Sequence, residues 1–292
     1  MSPRILVVAL ASLPAFTSAA RRVNWYLNSG EVSNNAALVQ LHGDAISGGY
    51  LCCGFGGVAA NGSWSSQPTA RALSELSPLT SSGREAWEVT GVSEAAVHSG
   101  AWSRGMAGAV AALAPLASAG LRGLLVDYEP ADNYTAAHAQ AYGSFLAGLA
   151  AAVAPLGLEV GADIASWGIL KADFWPAYTQ SGLLRRFSSM TPTYNSDNLT
   201  ENRVFVGQAL AGLPPGSFEA GIGSVLGGGA PCPMVYGWTA STLPPFFAWM
   251  AAQGVDSIAV WRCDIDKSYP APDPTAPFLF DALAAFLAGT AE

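Results

Sequence analysis

The chain is poor in charge, and most of all in positive charge. Only 12% of its 292 residues are charged, and its 13 Lys and Arg residues are scattered along the sequence. With 21 Asp and Glu residues, the formal net charge is −8. A protein that binds nucleic acid or an anionic membrane surface needs a basic patch. We therefore expect neither kind of partner.

Cysteine and histidine are also scarce, with four and three residues respectively. No CxxC pair and no His-rich spacing predicts a structural metal site, and we expect neither metal nor cofactor. In an oxidising compartment, Cys52 or Cys53 could form a disulfide with Cys232 or Cys263. The sequence leaves the pairing open.

One apolar run stands out, at the N-terminus. Ile5 to Leu13 follows Arg4 and precedes small residues up to Ala20, which is the pattern of a secretory signal peptide. The run is too short to span a membrane, and we expect no other spanning segment. We predict a signal peptide at residues 1–20 and a secreted, extracellular domain at 21–292. Three glycosylation triplets fit this prediction; they begin at Asn61, Asn133 and Asn198.

The rest of the chain alternates apolar β-type runs with helical stretches. The predicted strands are Arg22–Leu27, Ala45–Cys53, Glu85–Thr90, Arg122–Tyr128, Leu158–Ile164, Arg186–Met190, Phe218–Ser224 and Ser257–Trp261. Eight strands, each followed by helical sequence, predict a single-domain (β/α)8 barrel. An open doubly wound sheet is the alternative, but no GxGxxG motif follows the first strand. We interpret residues 54–57 as a glycine-rich loop that runs through residues 61–64 to a Ser/Pro-rich region.

The fourth predicted strand ends in Asp127-Tyr128-Glu129-Pro130. Alternate residues of a strand share a face, so Asp127 and Glu129 should emerge together. Pro130 ends the strand there, and Asn133 is the expected cap of the next helix. Active sites of parallel barrels lie at this end of the strands, so these two carboxylates are the first candidates for catalysis.

Polar and aromatic residues follow three other strands of the predicted barrel. They are Asp163 at the end of the fifth strand and Trp167 after it, Tyr194 and Asn195 after the sixth, and Trp261 at the end of the eighth with Arg262 and Asp264 after it. Aromatic faces beside hydrogen-bonding groups suit sugars, so we predict a glycan-binding pocket. Arg262 could pair with Asp264 or clamp the ligand.

Glycoside hydrolysis needs a group that protonates the leaving oxygen and a group that stabilises the positive sugar centre. The seventh strand ends in Gly223-Ser224, and its carboxylate, Glu219, lies at the beginning, on the stability face of a barrel. A route remains in which an N-acetyl group of the substrate acts as the nucleophile. Two like charges on one face should raise one pKa and keep Glu129 protonated as the acid.

These features resemble glycoside hydrolase family 18, the chitinases and their lectin relatives. The fourth-strand motif of that family is D-x-x-D-x-D-x-E, and residues 122–129 match its last two acidic positions, with Leu125 at the middle one. The resemblance implies that Glu129 is the general acid/base, that Asp127 orients the acetamido group and that Tyr194 binds its oxygen. Trp261 is similar to the tryptophan that floors the sugar pocket.

Two other functions remain open at this stage. The chain could be a non-catalytic, chitinase-like lectin, which the leucine at position 125 favours. It could also be a glycosidase of another barrel family, with Asp163 or Asp264 as the second carboxylate. A glycan is the expected partner in every case.

Overall fold

Eight parallel strands close into a barrel in the computed structural model of this chain. The structure describes residues 20–52, 55–130, 135–190, 192–194, 198–223, 238–261 and 277–290. Among these residues the strands are β1 (Arg22–Asn28), β2 (Gly48–Cys52), β3 (Gly56–Val58), β4 (Trp64–Ser66), β5 (Glu85–Val92), β6 (Leu121–Asp127), β7 (Glu159–Ile164), β8 (Arg186–Ser189), β9 (Phe218–Gly223) and β10 (Ser257–Trp261).

The barrel runs in the order β1-β2-β5-β6-β7-β8-β9-β10, and β10 pairs with β1 to close it. Every pairing within this circle is parallel. The predicted (β/α)8 barrel is therefore confirmed. The eight predicted strands correspond to the eight barrel strands, with ends that differ by three residues or fewer.

Helices cover the outside of the barrel. In the described part of the chain they are α1 (Val32–Leu41), α2 (Thr69–Thr80), α3 (Glu94–Ser99), α4 (Met106–Ser118), α5 (Ala136–Val153), α6 (Trp175–Thr179), α7 (Leu199–Gly212), α8 (Leu243–Ala252) and α9 (Pro277–Ala288). The cap of α5 is Thr135, whose hydroxyl accepts from the backbone N–H of His138 at 3.4 Å. The predicted cap, Asn133, lies outside the described residues.

The prediction of a loop after the second strand was wrong. β3 and β4 form an antiparallel hairpin, and β3 also extends β5 on its parallel side. The Ser/Pro-rich stretch then forms α2, although Pro78 lies inside that helix. Burial of Leu76 and Leu79 in the core outweighs the cost of a proline in the last turn of this helix.

The prediction about membrane-spanning segments also needs correction. Residues Ala136–Leu156, which include α5, are long and apolar enough to cross a membrane by length and composition. In the structure this helix packs against the barrel, with Phe145, Leu146 and Leu149 fully buried. Its apolar composition is therefore explained by its place in the barrel's helical layer.

Side chains alternate between the two faces of the barrel strands, as the period of two requires. Leu124 and Val126 of β6 point outward into the main core beneath the helices, whereas Leu125 belongs to a separate cluster inside the barrel. This inner cluster also contains Tyr26, Tyr50 and other residues of alternate register, namely Cys52, Trp87, Val89 and Ala259. The interior is thus filled by large side chains.

A polar network occupies the base of the barrel interior. The fully buried carboxylate of Glu219 accepts hydrogen bonds from Asn24 Nδ2 at 2.6 Å, from Ser257 Oγ at 2.8 Å and from the hydroxyl of Tyr50. Arg186 donates to Tyr50 at 3.0 Å, and its guanidinium lies 4.1 Å from the ring centre of Trp87. Four barrel strands, β1, β2, β9 and β10, therefore meet at one carboxylate.

Glu219→Ala should destabilise the protein by about 3–5 kcal/mol, because it leaves three buried donors without their acceptor and removes one of the two carboxylates near Arg186, the other being Glu85 at 3.0 Å. Urea unfolding measures the change. The matched control is Glu159→Ala, at the start of β7, whose ion pair with Arg122 is half exposed and should contribute about 1 kcal/mol or less. Equal losses in the two variants would contradict the role given to Glu219.

Candidate active site

The end of β6 brings two carboxyl groups to the mouth of the barrel. Leu125 and Asp127 point inward from this strand, and Tyr128 points outward, where it packs on Tyr142 with ring centres 4.6 Å apart. Glu129 follows the strand and lines the same pocket as Asp127. The Asp127 carboxyl is largely buried, whereas Glu129 is exposed. The predicted alternation along this strand is confirmed.

A third carboxyl group, Asp163, lies beside them at the end of β7. It is only 3% exposed, and its Oδ1 accepts a hydrogen bond from the Tyr26 hydroxyl of β1 at 3.3 Å. The same hydroxyl lies 3.4 Å from Ser188 Oγ of β8. Tyr26 is a pocket residue that the sequence analysis missed. The signal was available, because Asn24, Tyr26 and Asn28 share the inward face of the first strand.

Tyr194 enters the pocket from the turn after β8. Its backbone carbonyl accepts from Gly223 N–H and from Trp238 Nε1, both at 2.9 Å, so the turn is held on two sides. Gly221 of β9 allows this approach, because a Cβ there would lie 2.5 Å from Tyr194 Cε1 and 1.8 Å from the Ser189 carbonyl. A glycine on the inner face of the seventh barrel strand thus makes room for the tyrosine.

Aromatic rings complete the pocket. Trp261 ends β10, stacks nearly parallel to Tyr194 with ring centres 6.1 Å apart, and meets Tyr26 edge-on at 5.0 Å. The pocket has a volume of about 80 Å³, and its lining residues are Tyr26, Asp127, Glu129, Asp163, Trp167, Met190, Tyr194 and Trp261. Its mostly apolar walls with a few convergent polar groups are typical of a ligand site.

Burial and neighbouring charge raise the pKa of Asp127 and of Asp163. Burial, followed by the charge of Glu129, raises the pKa of Asp127 to about 6. Burial and the charge of Asp127 raise the pKa of Asp163 well above its usual range. The sequence predicted that the like-charge effect would raise the pKa of Glu129. The structure shows a raised pKa on Asp127, because Asp127 is the buried member of that pair.

Six of the nine predicted site residues belong to the described part of the chain. Asn195, Arg262 and Asp264 lie outside the described residues, as do Cys53, Cys232, Cys263, Asn133 and residues 1–19 of the predicted signal peptide. The other six predicted site residues come together in the pocket: Asp127, Glu129, Asp163, Trp167, Tyr194 and Trp261. Within the described ranges, no group of three or more His, Cys, Asp and Glu residues could hold a metal ion.

A wider, open cleft adjoins the pocket and shares Asp127 with it. The β3–β4 hairpin and the end of β5 form its walls, with Gln67, Ser65, Ser93 and the backbone of several glycines along it. Phe55 also lines this cleft. The pocket therefore continues into a groove on one side.

The fold is shared with solved chitinase structures. A chitinase from Bacteroides thetaiotaomicron superimposes with a TM-score of 0.69 at 10% identity, over 92% of this chain and 97% of that chain. A class V chitinase from Pseudomonas fluorescens Pf-5 superimposes with a TM-score of 0.63 at 15% identity, over 92% of this chain and 100% of that chain. The spore cortex-lytic enzyme SleL of Bacillus cereus superimposes with a TM-score of 0.63 at 12% identity, over 91% of this chain and 74% of that chain.

No protein-family model and no curated protein matches the chain. The likeness to solved structures, at this level of identity, establishes the fold. The chain has a chitinase-like (β/α)8 barrel, the architecture of these glycoside hydrolases.

Asp127→Asn should stabilise the protein at pH 7 and have little effect below pH 4. A carboxyl whose pKa is raised from 3.8 to about 6 in the folded state contributes stability that is present below pH 4 and lost as pH rises through 6. The pKa change from 3.8 to about 6 corresponds to a gain in the free energy of unfolding of at most about 3 kcal/mol at pH 7 in Asp127→Asn. Urea unfolding at both pH values measures it.

The matched control for this pH effect is Asp173→Asn, because that side chain is 74% exposed. We expect no pH-dependent gain from it. An Asp127→Asn gain of equal size at pH 4 and pH 7 would contradict the burial of an ionised Asp127.

Proposed function

We propose that the chain is a secreted glycoside hydrolase that cleaves O-glycosidic bonds in glycans containing N-acetylhexosamine, such as chitin-like chains. The observation that carries this proposal is the convergence of Asp127, Glu129, Tyr194 and Trp261 in one pocket at the carboxyl end of a closed barrel. The chitinase-like fold is consistent with it. The adjoining groove offers space for further sugar units of an oligosaccharide.

Glu129 is the proposed general acid. Its side chain is exposed at the mouth of the pocket, where the leaving part of the substrate would sit, and it can therefore deliver a proton to the glycosidic oxygen. Trp261 and Tyr194 form a stacked pair at the pocket wall, against which the C–H face of a sugar ring can pack. The acid and the sugar face thus lie on neighbouring sides of one cavity.

Asp127 and Tyr194 are the proposed partners of the substrate's acetamido group. As the acid protonates the leaving oxygen, the oxygen of the acetamido group attacks the sugar carbon. The nitrogen of the acetamido group then becomes positively charged. The Asp127 carboxylate accepts the hydrogen bond of that N–H group and stabilises the charge, and the Tyr194 hydroxyl donates to the acetamide oxygen. Water then opens the ring intermediate, with Glu129 as the base.

The described part of the barrel favours this route over one with an enzyme nucleophile. The inward positions at the end of β9 are glycines, Gly221 and Gly223. Asp163 is buried, and burial raises its pKa so that it keeps its proton, which makes it a poor nucleophile. The nucleophile is then the acetamide oxygen of the substrate.

Secretion belongs to the same proposal. It depends on the signal-like residues 1–20, the glycosylation triplets and the cysteines. Cys52 is buried at the end of β2, and the proposed partners in a disulfide lie outside the described residues. Asn61, in a turn after β3, is exposed and accessible to a glycosylating enzyme.

Glu129→Gln should lower the hydrolysis of short chitin oligomers by about a hundredfold or more, because the glutamine cannot protonate a poor leaving group. Aryl glycosides with acidic phenols need less protonation, so the same variant should lose much less activity on them. A panel of aryl glycosides with and without an N-acetyl group also tests substrate assistance, since only the N-acetyl members should be cleaved.

Glu159→Gln, at the opposite end of the barrel, is the matched control and should retain activity. Hydrolysis that is indifferent to Glu129 would overturn the assignment of the acid. If neither protein turns over any substrate while both bind oligosaccharides, the chain is a chitinase-like lectin.

A further inference from the structure

One carboxyl oxygen of Asp127, Oδ1, is buried and has no hydrogen-bond partner among the described residues. A buried, unpaired carboxylate oxygen is costly and leaves the side chain free to rotate. The next inward residue below it on β6 is Leu125, which is apolar. Its own strand therefore supplies no partner.

The neighbouring strand places a carboxyl group beside it. In the register of β6 and β7, Leu125 pairs with Gly161 and Val126 with Ala162, so the next residues along are Asp127 and Asp163. Both side chains point into the barrel, and adjacent strands lie about 4.8 Å apart. Gly161, the inward residue before Asp163, has no side chain, so Leu125 can pack in the space below Asp163. A Cβ at position 161 would lie 3.2 Å from Leu125 Cδ1.

Two carboxyl groups at this spacing in a buried site cannot both be ionised, so one retains a proton and can donate it to the other. Asp163 is the deeper of the two, and it already accepts from Tyr26. Among the described residues, the other ionisable groups near the pair are Glu129, Tyr26, Tyr142, Tyr194 and Glu219. None of these is a cation that would allow both to ionise.

We propose that Asp163 is a positioning residue for Asp127: its protonated carboxyl, oriented by the Tyr26 hydroxyl, donates a hydrogen bond to the Asp127 carboxylate and fixes its rotation. Asp163 on the fifth barrel strand supplies the partner that Leu125 on the fourth cannot. The catalytic consequence rests on the proposed function, but the hydrogen bond itself can be tested without any substrate.

The test is the pKa of Asp127, measured by carboxyl ¹³C NMR in the full-length protein, with Asp127→Asn used to assign the resonance. Asp163→Leu removes the donor, and a hydrogen bond to the charged form lowers a pKa. We therefore expect the Asp127 pKa to rise further in Asp163→Leu, by about one unit. Asp163→Asn keeps an N–H donor and should leave the pKa close to that of the unaltered protein.

The sign of the change separates the possibilities. If Asp163 were ionised, its removal by either substitution would relieve repulsion and lower the Asp127 pKa, which would overturn the proposal. An unchanged pKa in Asp163→Leu would also overturn it, because the two groups would then not interact. Asp163→Ala replaces the leucine variant if that variant does not fold. Ser188→Ala, which removes the contact between the Ser188 and Tyr26 hydroxyls, is the control and should leave the titration of Asp127 unchanged.

Activity gives a second readout. If the proposed function holds, Asp163→Leu should lower kcat by about tenfold or more with a smaller effect on KM. The reason is that the Asp127 carboxylate, no longer held in place, acts mainly on the transition state. Adding Leu125→Asp to Asp163→Leu moves the carboxyl back to β6, two residues before Asp127, and should restore part of kcat. If the unaltered protein hydrolyses nothing, the proposed function fails while the titration still decides the role of Asp163.

Discussion

The buried carboxylate of Glu219 is the interaction on which the barrel depends. It accepts from side chains of three other strands, Asn24 of β1, Tyr50 of β2 and Ser257 of β10. These strands include the pair that closes the circle, so the network joins the first and last strands of the sheet. A fully buried carboxylate is tolerated only when it is bonded in this way. Closure and polar satisfaction are therefore coupled at the base of the barrel.

The filled base determines where a ligand can bind. Arg186, Tyr50 and Trp87 occupy the lower interior, so the open volume lies above them, at the carboxyl ends of the strands. The acidic groups are then graded in burial, from Glu219 through Asp163 and Asp127 to the exposed Glu129. Burial raises the pKa of Asp127 and of Asp163. The exposed Glu129 lies at the mouth, where it is accessible to a ligand.

The fold persists at 10–15% identity to the solved chitinases because few positions constrain it. The outward face of each strand needs only apolar side chains, and many different residues satisfy that need. The close approaches are more demanding, as at Gly123, where a Cβ would lie 2.6 Å from the Trp87 ring, and at Gly221 beside Tyr194. Likeness of fold is therefore compatible with a site that differs in detail, as with leucine at position 125.

The sequence by itself determined the periodic features. Apolar runs of strand length alternate with helical stretches, and this pattern was sufficient for the eight barrel strands, their inward and outward faces, and the emergence of Asp127 and Glu129 together. It failed where local preference and tertiary packing disagree. The β3–β4 hairpin contains glycine and serine, and α2 contains Pro78, so their local signals favoured a loop. Contacts with β5 and the core stabilise both elements.

Only the tertiary structure decided which side chains meet. The pairing of Tyr26 with Asp163 joins residues 137 positions apart, and no local pattern encodes that distance. The same holds for the pKa of Asp127, which depends on how deeply the closed barrel buries it, whereas the sequence analysis could use only the neighbouring charge. Periodicity is a local property and can be read along the chain. Burial and cross-barrel contacts arise from closure of the sheet, and they exist only once all eight strands are in place.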